Sequence, residues 1–390
     1  MSEVVIVNAV RTPMGAFQGR LRNISAPELG AVAINSVIQS AVNQSIDEVI
    51  MGCVLSAGQG QAPARQAALG AGLSNDVPAT TINKMCGSGM KAVMTAADQI
   101  TAGNSNAIVA GGMESMSNAP YLLPKFRRGA RFGHQQVLDH MFLDGLEDAY
   151  DEGRLMGSFA EDCAEQYQFT REHQDNFAIE SLSRAIAATN EGLFANEIVA
   201  VGTTDGEPTE AIKDDEQLAS AKPEKIRTLK PAFREGGTVT AANSSSISDG
   251  AAVLVLANHR FAEVNELPTR AIVRGYCSHA QAPNLFTTAP IGAANKLLDQ
   301  LGWAKESVDL WEVNEAFAVV PMAFTRDMNL NSEVVNVNGG ACALGHPIGA
   351  SGARIIVTLL HALEQGEGTR GIAAVCIGGG EATAIAIERT

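Results

Sequence analysis

The stretch Asn83-Lys84-Met85-Cys86-Gly87-Ser88-Gly89-Met90 places a cysteine at the mouth of a predicted helix. Apolar residues then recur at helical spacing, at Met90, Val93, Met94, Ala97 and Ile100. This spacing predicts one apolar stripe, and Gly103 is placed to end the helix. An apolar strand at 107–110 follows and is expected to end in Gly111-Gly112. This segment forms one predicted unit, in which a short strand, a turn with the cysteine and a helix are followed by a strand that ends at glycines.

The same unit recurs near the other end of the chain. An apolar strand at 334–337 leads into a glycine-rich turn and a second helix, which Gly366 ends. A strand at 372–377 then closes on Gly378-Gly379-Gly380. Each unit is preceded by two further apolar strands, at 4–10 and 49–55 in the first case and at 270–275 and 308–313 in the second. Strands that alternate with such helices predict sheets covered on both faces.

We therefore expect an α/β protein of two similar halves, residues 1–265 and 266–390, with an insertion at about 117–245 in the first half. Within the insertion, Ser158-Phe159-Ala160-Glu161 has the pattern of a capping box and predicts a helix start. Thr170 is predicted to cap a second helix that runs to about Thr189.

Composition narrows the classes of function. The net charge of −15 disfavours a general nucleic-acid surface and binding to acidic membranes. No apolar run approaches the roughly 18 residues of a membrane span, and the first residues have no signal-peptide pattern. Six cysteines without a CxxC pair predict reduced thiols in a cytoplasmic protein.

Cys86 is the first candidate for chemistry. A helix N-terminus favours negative charge, so its position predicts a stabilised thiolate, the form of cysteine that attacks. Gly87 and Gly89 leave the backbone beside the sulfur unshielded, and the Cys86 N–H is in place to donate to an oxyanion. The alternative for the same turn is a small buried cysteine that only packs.

Three more residues are candidates. His346 lies in a glycine-lined turn and is suited to take a thiol proton near neutral pH, or alternatively to cap a helix. Cys376 ends an apolar strand, and the glycines after it predict a nest of N–H groups for an oxyanion; the alternative is a core cysteine. Asn314 follows another apolar strand and is in place to hold a water or a carbonyl.

Other ligands are less well supported. A zinc site from Cys86, His346 and Cys376 has an untypical spacing, and no GxGxxG opens the first strand-to-helix turn to bind a dinucleotide. Basic residues cluster at 125–131 and 222–234. Such clusters indicate either solvated surface or a local site for phosphates.

Six segments together resemble the thiolase family, in the family's order and over nearly all of the chain. They are Val10-Arg11-Thr12-Pro13, Asn83-Lys84-Met85-Cys86-Gly87-Ser88-Gly89, Gly111-Gly112-Met113-Glu114-Ser115-Met116, Asn314-Glu315-Ala316-Phe317, Asn338-Gly339-Gly340 through Gly345-His346-Pro347 to Gly352, and Cys376-Ile377-Gly378-Gly379-Gly380. The resemblance implies two similar halves in a five-layered αβαβα arrangement, with a loop domain in the first half. It also implies acyl exchange between coenzyme A thioesters.

The same resemblance implies roles for the candidates. Cys86 takes the acyl group as a thioester, His346 activates it, and Cys376 moves protons at the α-carbon of a second acetyl group and at the leaving thiol. Asn314 holds a water that, with His346, binds one thioester oxygen. The N–H groups of Cys86 and Gly378 bind the other. No metal or permanently bound cofactor is implied.

Binding residues follow in the same way. Ser245 matches a position that touches pantetheine, and Met156 and Phe317 match apolar positions near the acyl end. The basic stretch 222–234 falls where the family holds the nucleotide end of coenzyme A. Three positions depart from the family's usual residues, namely Leu155, Phe286 and Glu381.

The reaction implied is the joining of two acetyl-CoA into acetoacetyl-CoA and coenzyme A, or the reverse. The presence of Cys376 favours an enzyme that works without decarboxylation, because forming an enolate from an acetyl thioester needs a base. One alternative is a broad-range 3-ketoacyl-CoA thiolase of fatty-acid breakdown. Another is a catalytically silent member that binds lipid. A homodimer or homotetramer is expected, without nucleic acid or membrane partners.

Overall fold

The computed structural model describes residues 3–39, 46–202 and 211–390. The strands are β1 (Val4–Arg11), β2 (Gly15–Ala16), β3 (Glu48–Gly52), β4 (Ala79–Ile82), β5 (Ala107–Ser115), β6 (Tyr121–Leu122), β7 (Leu138–Asp139), β8 (Ser248–Asn258), β9 (Ala271–Ala280), β10 (Leu310–Val313), β11 (Arg370–Ile377) and β12 (Glu381–Arg389). The helices are α1 (Ala26–Ile38), α2 (Pro63–Gly70), α3 (Ser88–Thr101), α4 (Met156–Tyr167), α5 (Arg171–Asn190), α6 (Glu216–Ser220), α7 (Pro223–Ile226), α8 (His259–Val264), α9 (Ala289–Leu301), α10 (Val319–Asp327), α11 (Ala341–Leu344) and α12 (Ile348–Gln365).

The strands lie side by side in the order β10-β11-β12-β9-β1-β8-β5-β3-β4, and β2 pairs with β8 off this path. In the first half, β3 and β5 are parallel, and β8 pairs antiparallel with both β5 and β1. In the second half, β10 and β11 are parallel, and β12 pairs antiparallel with both β11 and β9. The two halves therefore repeat one strand plan, and they join where β1 contacts β9.

We call the strands β1, β3, β4, β5 and β8 the first sheet and the strands β9 to β12 the second sheet, although the β1–β9 contact makes them continuous. With their helices, the two sheets form five layers. Val4 and Ile6 of β1 face a central core that contains α3 and α12, whereas Val5 and Val7 face α1 and α2. In the second half, alternate residues of β11 likewise divide between the central core and an outer core with α9 and α10. The order of layers is α1 with α2, the first sheet, α3 with α12, the second sheet, then α9 with α10. The predicted αβαβα layering is confirmed.

Helix α12 is buried on every side from Ile348 to Leu363, because it lies between two sheets. The predicted apolar stripe covers only one of its faces. Its other faces carry buried polar groups, including Arg354, whose guanidinium donates to Glu312 at 2.9 Å. A buried cation needs such a partner to offset the loss of water.

The N-terminus of α12 contacts α3 and β5 through what we call the glycine seam, formed by Gly89, Gly112, Gly349 and Gly352. A Cβ on Gly112 would lie 2.0 Å from the carbonyl oxygen of Gly349, closer than two atoms can approach. Strand β5 runs through Gly111 and Gly112 to Ser115, so the prediction that it ends at these glycines is wrong. These glycines serve close backbone packing.

Two local predictions in the insertion have different outcomes. Helix α4 begins at Met156, and Ser158 makes no cap; the buried Glu161 accepts from the N–H groups of Thr238 and Val239 at 2.9 and 2.8 Å. The predicted capping box is wrong, because tertiary partners take its carboxylate. The Thr170 cap of α5 is confirmed, with its hydroxyl accepting from a backbone N–H at 3.2 Å.

The predicted strand at 334–337 is also wrong, since only a single bridge joins Trp311 to Val335 there. Asn336 ends this segment with φ of +49°, in the left-handed region. Its side-chain amide bonds both backbone groups of Val313 instead of continuing a ladder. Within residues 3–39, 46–202 and 211–390, no helix has the length and apolarity needed to cross a membrane.

Candidate active site

A strained turn presents Cys86. Met85 has φ of +48°, a left-handed conformation that costs a residue with a Cβ about 1–3 kcal/mol. Three hydrogen bonds hold the turn. The Met85 N–H donates to Asn83 Oδ1 at 3.0 Å, the Ser88 hydroxyl donates to the Met85 carbonyl at 2.6 Å, and the Lys84 N–H donates to the Ser88 hydroxyl at 2.8 Å. No pattern of residues around Met85 predicts this strain.

Cys86 rests as a neutral thiol. Burial raises its pKa to about 11, although interaction of the sulfur with the N–H groups of Gly378 and of Cys86 itself lowers the pKa. The predicted thiolate at a helix N-terminus is therefore wrong for the resting protein. Helix α3 begins only at Ser88, after its N-cap Gly87, and loss of water outweighs the nearby N–H groups.

Cys376 lies against the same turn. It is 1% exposed, and burial raises the pKa of its thiol, with a further contribution from the charge that Cys86 carries when ionised. The backbone segments also touch, because a Cβ on Gly87 would lie 2.4 Å from Ile377 Cδ1. The structure thus brings the two cysteine segments together, with the Gly378 N–H directed at the Cys86 sulfur.

His346 is buried with one nitrogen bonded and one free. Its Nδ1 lies 2.6 Å from the Ser351 hydroxyl, which donates its own hydrogen to the Pro347 carbonyl at 2.9 Å. Because the hydroxyl hydrogen is used, Nδ1 carries the proton and Nε2 keeps its lone pair. Nε2 has no partner among the described residues. Burial, together with the charge of Arg354, lowers the His346 pKa to about 3, so the ring is neutral at working pH rather than titrating near pH 7 as predicted.

Glu114 ties the histidine turn to the first half. Its carboxylate is fully buried and accepts from the N–H groups of Val54, Leu55 and Gly349 at 3.0, 3.0 and 2.8 Å. Gly349 lies three residues after His346, and burial raises the Glu114 pKa to about 7. Sequence reasoning missed this residue. Its only signal was an acidic side chain within an apolar, glycine-rich strand.

Asn314 follows β10, and its backbone N–H donates to Ala374 in the neighbouring strand at 3.0 Å. Its side chain is fully buried, and neither Oδ1 nor Nδ2 has a partner among the described residues. A buried amide left unpaired costs about 1–3 kcal/mol per group. These atoms therefore call for a partner from outside the chain, such as a water or a substrate oxygen.

Ser245 lies between the Asn314 and His346 segments. Its N–H donates to the Ala316 carbonyl at 2.9 Å, and the next residue, Ser246, accepts from the His346 N–H at 3.0 Å. This position next to both segments is compatible with contact to a substrate that reaches them.

The predicted acyl-end residues lie on the Cys376 side of the site. A Cβ on Gly378 would lie 3.4 Å from Met156 Sδ, so that thioether covers the glycine turn. Met156 and Phe317 both pack in the apolar cluster that contains Cys376. The ring of Phe317 meets Phe286 edge-on at 6.4 Å between centroids.

The basic stretch 222–234 is only partly available. Arg234 forms ion pairs with Asp162 and Glu165, and Arg227 donates to Asn176 at 2.6 Å. Its lysines, Lys222, Lys225 and Lys230, are exposed. A role for these lysines in binding phosphate stays a prediction.

All six cysteines are unpaired. In the described part of the chain, no three His, Cys, Asp or Glu side chains are grouped to hold a metal ion. The alternative of a zinc site at Cys86, His346 and Cys376 therefore has no structural support.

Comparison with known proteins agrees with the geometry. Residues 4–260 match the model of the thiolase N-terminal domain and residues 267–389 that of the C-terminal domain. The chain belongs to the thiolase family. It is 50% identical to acetyl-CoA acetyltransferase 2 of Arabidopsis thaliana over 99% of this chain and 97% of the relative.

Two solved structures are closely similar. The acetyl-CoA acetyltransferase of Bacillus anthracis superposes with a TM-score of 0.97 at 40% identity, covering 100% of this chain and 99% of the other. The Acat5 thiolase of Ascaris suum, solved in complex with coenzyme A, has a TM-score of 0.94 at 43% identity and full coverage of both chains.

The pKa of Cys86 predicts how its reactivity depends on pH. Alkylation of Cys86 by iodoacetamide, followed by peptide mass spectrometry, should accelerate about tenfold per pH unit from pH 7 to 9.5, because only the thiolate reacts. A free cysteine peptide is the control and should level off near pH 9. A plateau for Cys86 below pH 8 would show a preformed thiolate and contradict the resting state described above.

Proposed function

We propose that this chain is an acetyl-CoA C-acetyltransferase that condenses two acetyl-CoA into acetoacetyl-CoA and coenzyme A, or catalyses the reverse thiolysis. The observation that carries the proposal is the contact between the Cys86 turn and the end of the Cys376 strand, where a Cβ on Gly87 would lie 2.4 Å from Ile377 Cδ1. The name of the relatives and the coenzyme A bound to the Ascaris thiolase support the same reaction.

In the first half-reaction, Cys86 Sγ attacks the thioester carbonyl of acetyl-CoA while its proton passes to His346 Nε2. The N–H groups of Cys86 and Gly378, which lower the pKa of the Cys86 thiol in the resting protein, stabilise the oxyanion. Cys376 gives its proton to the departing coenzyme A sulfur. The products are acetyl-Cys86, free coenzyme A, protonated His346 and the Cys376 thiolate.

In the second half-reaction, the Cys376 thiolate removes a proton from the methyl group of a second acetyl-CoA. His346, now protonated, and a water held by Asn314 stabilise the enolate oxygen; the unpaired amide of Asn314 supports this role. The enolate carbon attacks acetyl-Cys86, and the expelled sulfur recovers the proton from His346. All groups return to their starting states.

This chemistry needs no metal and no bound cofactor. The oxyanion and the enolate both carry their charge on oxygen, so hydrogen-bond donors supply the stabilisation, and thiol and imidazole groups carry every proton. The thioester substrates bring the only activated bond.

Specificity for a short acyl group is part of the proposal. Ser245 contacts the pantetheine arm, and Met156 and Phe317 bound the acyl end. Phe317 is itself backed by Phe286, which is 3% exposed, and by Phe233. Closely packed rings behind the acyl end leave little room for a long chain, which favours acetyl over the broad-range 3-ketoacyl-CoA alternative.

We also propose that the two repeated units divide at residues 265 and 266, with a loop domain at about 117–245.

The exposed apolar side chains on the loop between β6 and β7, including Phe132 at 99% exposure, favour self-association. A homodimer or homotetramer in the cytoplasm is proposed, and sedimentation velocity would distinguish either from a monomer. The unpaired thiols are typical of a reducing compartment.

The roles of the two cysteines are separable. With labelled acetyl-CoA, Cys376→Ser should still place label on Cys86 but lose at least about a hundredfold in condensation, because it lacks the base for the methyl proton. Cys86→Ala should take no label and lose all activity. Cys277→Ser is a matched control, since the buried Cys277 thiol donates to the Ala293 carbonyl of α9 at 3.1 Å, and it should keep condensation.

Normal condensation by the Cys376→Ser variant would remove the proton-transfer role of Cys376. Absence of label on Cys86 in the unaltered protein would instead support the silent, lipid-binding alternative.

Substrates with different acyl chain lengths test the proposed specificity. Thiolysis rates with acetoacetyl-CoA should exceed those with 3-ketooctanoyl-CoA by at least about tenfold, because each methylene that a pocket rejects is worth roughly 1–3 kcal/mol. Phe317→Ala should narrow this difference by opening the acyl end. Equal or faster turnover of the longer substrate by the unaltered protein would assign it to the broad-range class.

A further inference from the structure

An ion pair joins the two segments that carry the cysteines. Lys84 Nζ bonds Glu381 Oε2, and the two side chains are 22% and 38% exposed. Lys84 lies two residues before Cys86, and Glu381 lies three residues after Gly378. The pair therefore spans the two halves of the protein at the mouth of the site.

Each partner is fixed to its own segment. The Lys84 N–H donates to the Ser88 hydroxyl at 2.8 Å, and its carbonyl accepts from the Gly87 N–H at 3.1 Å, so the lysine backbone is part of the strained cysteine turn. Glu381 opens β12 and is paired on one side with Ile377 and on the other with Ala280. A force between these side chains acts directly on the two backbones.

The two backbones supply different halves of one oxyanion site. One N–H belongs to Cys86 and the other to Gly378, and both lower the pKa of the Cys86 thiol. The distance between them depends on how the second segment sits against the first. Gly379 and Gly380 have φ of +91° and +83°, a conformation that glycine adopts readily, and they connect Gly378 to Glu381 at the start of β12.

We propose that Lys84 and Glu381 are a positioning pair that holds the N–H groups of Cys86 and Gly378 at the separation an oxyanion needs. The inference rests on the proposed acyl transfer and adds to it two residues outside the catalytic set. Neither side chain touches the reacting atoms. They act through the backbone of the two turns.

This role has a signature that a purely structural role lacks. Partly exposed ion pairs contribute little to stability, so breaking this one should leave the Tm almost unchanged. Losing an oxyanion donor lowers kcat by about 10²–10³, so partial misplacement should lower kcat by roughly tenfold. Salt weakens partly exposed pairs, so the kcat of the unaltered protein should fall as ionic strength rises.

The experiment compares Lys84→Met, Glu381→Gln, the double variant and the charge-reversed pair Lys84→Glu with Glu381→Lys. The measurements are kcat and KM for condensation of acetyl-CoA at 0.05 and 0.5 M KCl, the rate of Cys86 acetylation, and Tm. Glu388→Gln is the matched control, because Glu388 lies at the far end of β12 and pairs with Arg274 and Arg370.

Each single variant should lose about tenfold in kcat and in the rate of Cys86 acetylation, with KM changed less than twofold. The double variant should lose no more than either single variant, because both remove the same interaction. The charge-reversed pair should have a kcat at least threefold higher than either single variant. The kcat of the single and double variants should no longer depend on KCl, and the kcat of Glu388→Gln should equal that of the unaltered protein.

Unchanged kcat in the single variants, additive losses in the double variant, or a fall in Tm that accounts for the lost activity would overturn the proposal. Absence of acetoacetyl-CoA formation by the unaltered protein would overturn the proposed function instead, so the two failures are distinguishable.

Discussion

Close contact between the backbones at the glycine seam is the constraint on which the site depends. Helix α12 carries the histidine turn at its N-terminus, and α3 carries the cysteine turn. The two helix ends meet only because Gly352 and Gly89 present no side chain; a Cβ on Gly352 would lie 2.6 Å from the Met90 nitrogen. A protein interior is packed too densely to absorb such an overlap. The position of His346 relative to Cys86 therefore follows from backbone contact.

Burial determines the protonation states of the groups in the site. Both thiols have raised pKa values and His346 has a lowered one, so the resting groups are neutral. Charge then appears only when substrate is attacked, and the N–H groups that receive it are already in place. The buried carboxylate of Glu114 also fixes backbone positions near the site. It accepts hydrogen bonds from the N–H groups of Val54, Leu55 and Gly349, and so ties the histidine turn to the first half.

Periodic features were predictable because they are local. The stripe from Met90 to Ile100, the cap at Thr170 and the repeated strand plan all appear in the structure as expected. The predictions were wrong where contacts between segments far apart in the chain determine the local structure. Glu161 accepts from a segment far along the chain instead of capping its own helix, and Gly112 faces α12 within a strand that continues. Glu114 and the Met85 strain had no periodic signal at all.

The order and types of residues by themselves determined the class of fold, the family and the candidate groups Cys86, His346, Cys376 and Asn314. They could do so because hydrophobic spacing and glycine turns act over a few residues. Only the tertiary structure decided which groups are charged, which nitrogen of His346 is free, and that Lys84 meets Glu381. These properties depend on solvent exclusion and on contacts between segments that are far apart in the chain, and neither is encoded in a local pattern.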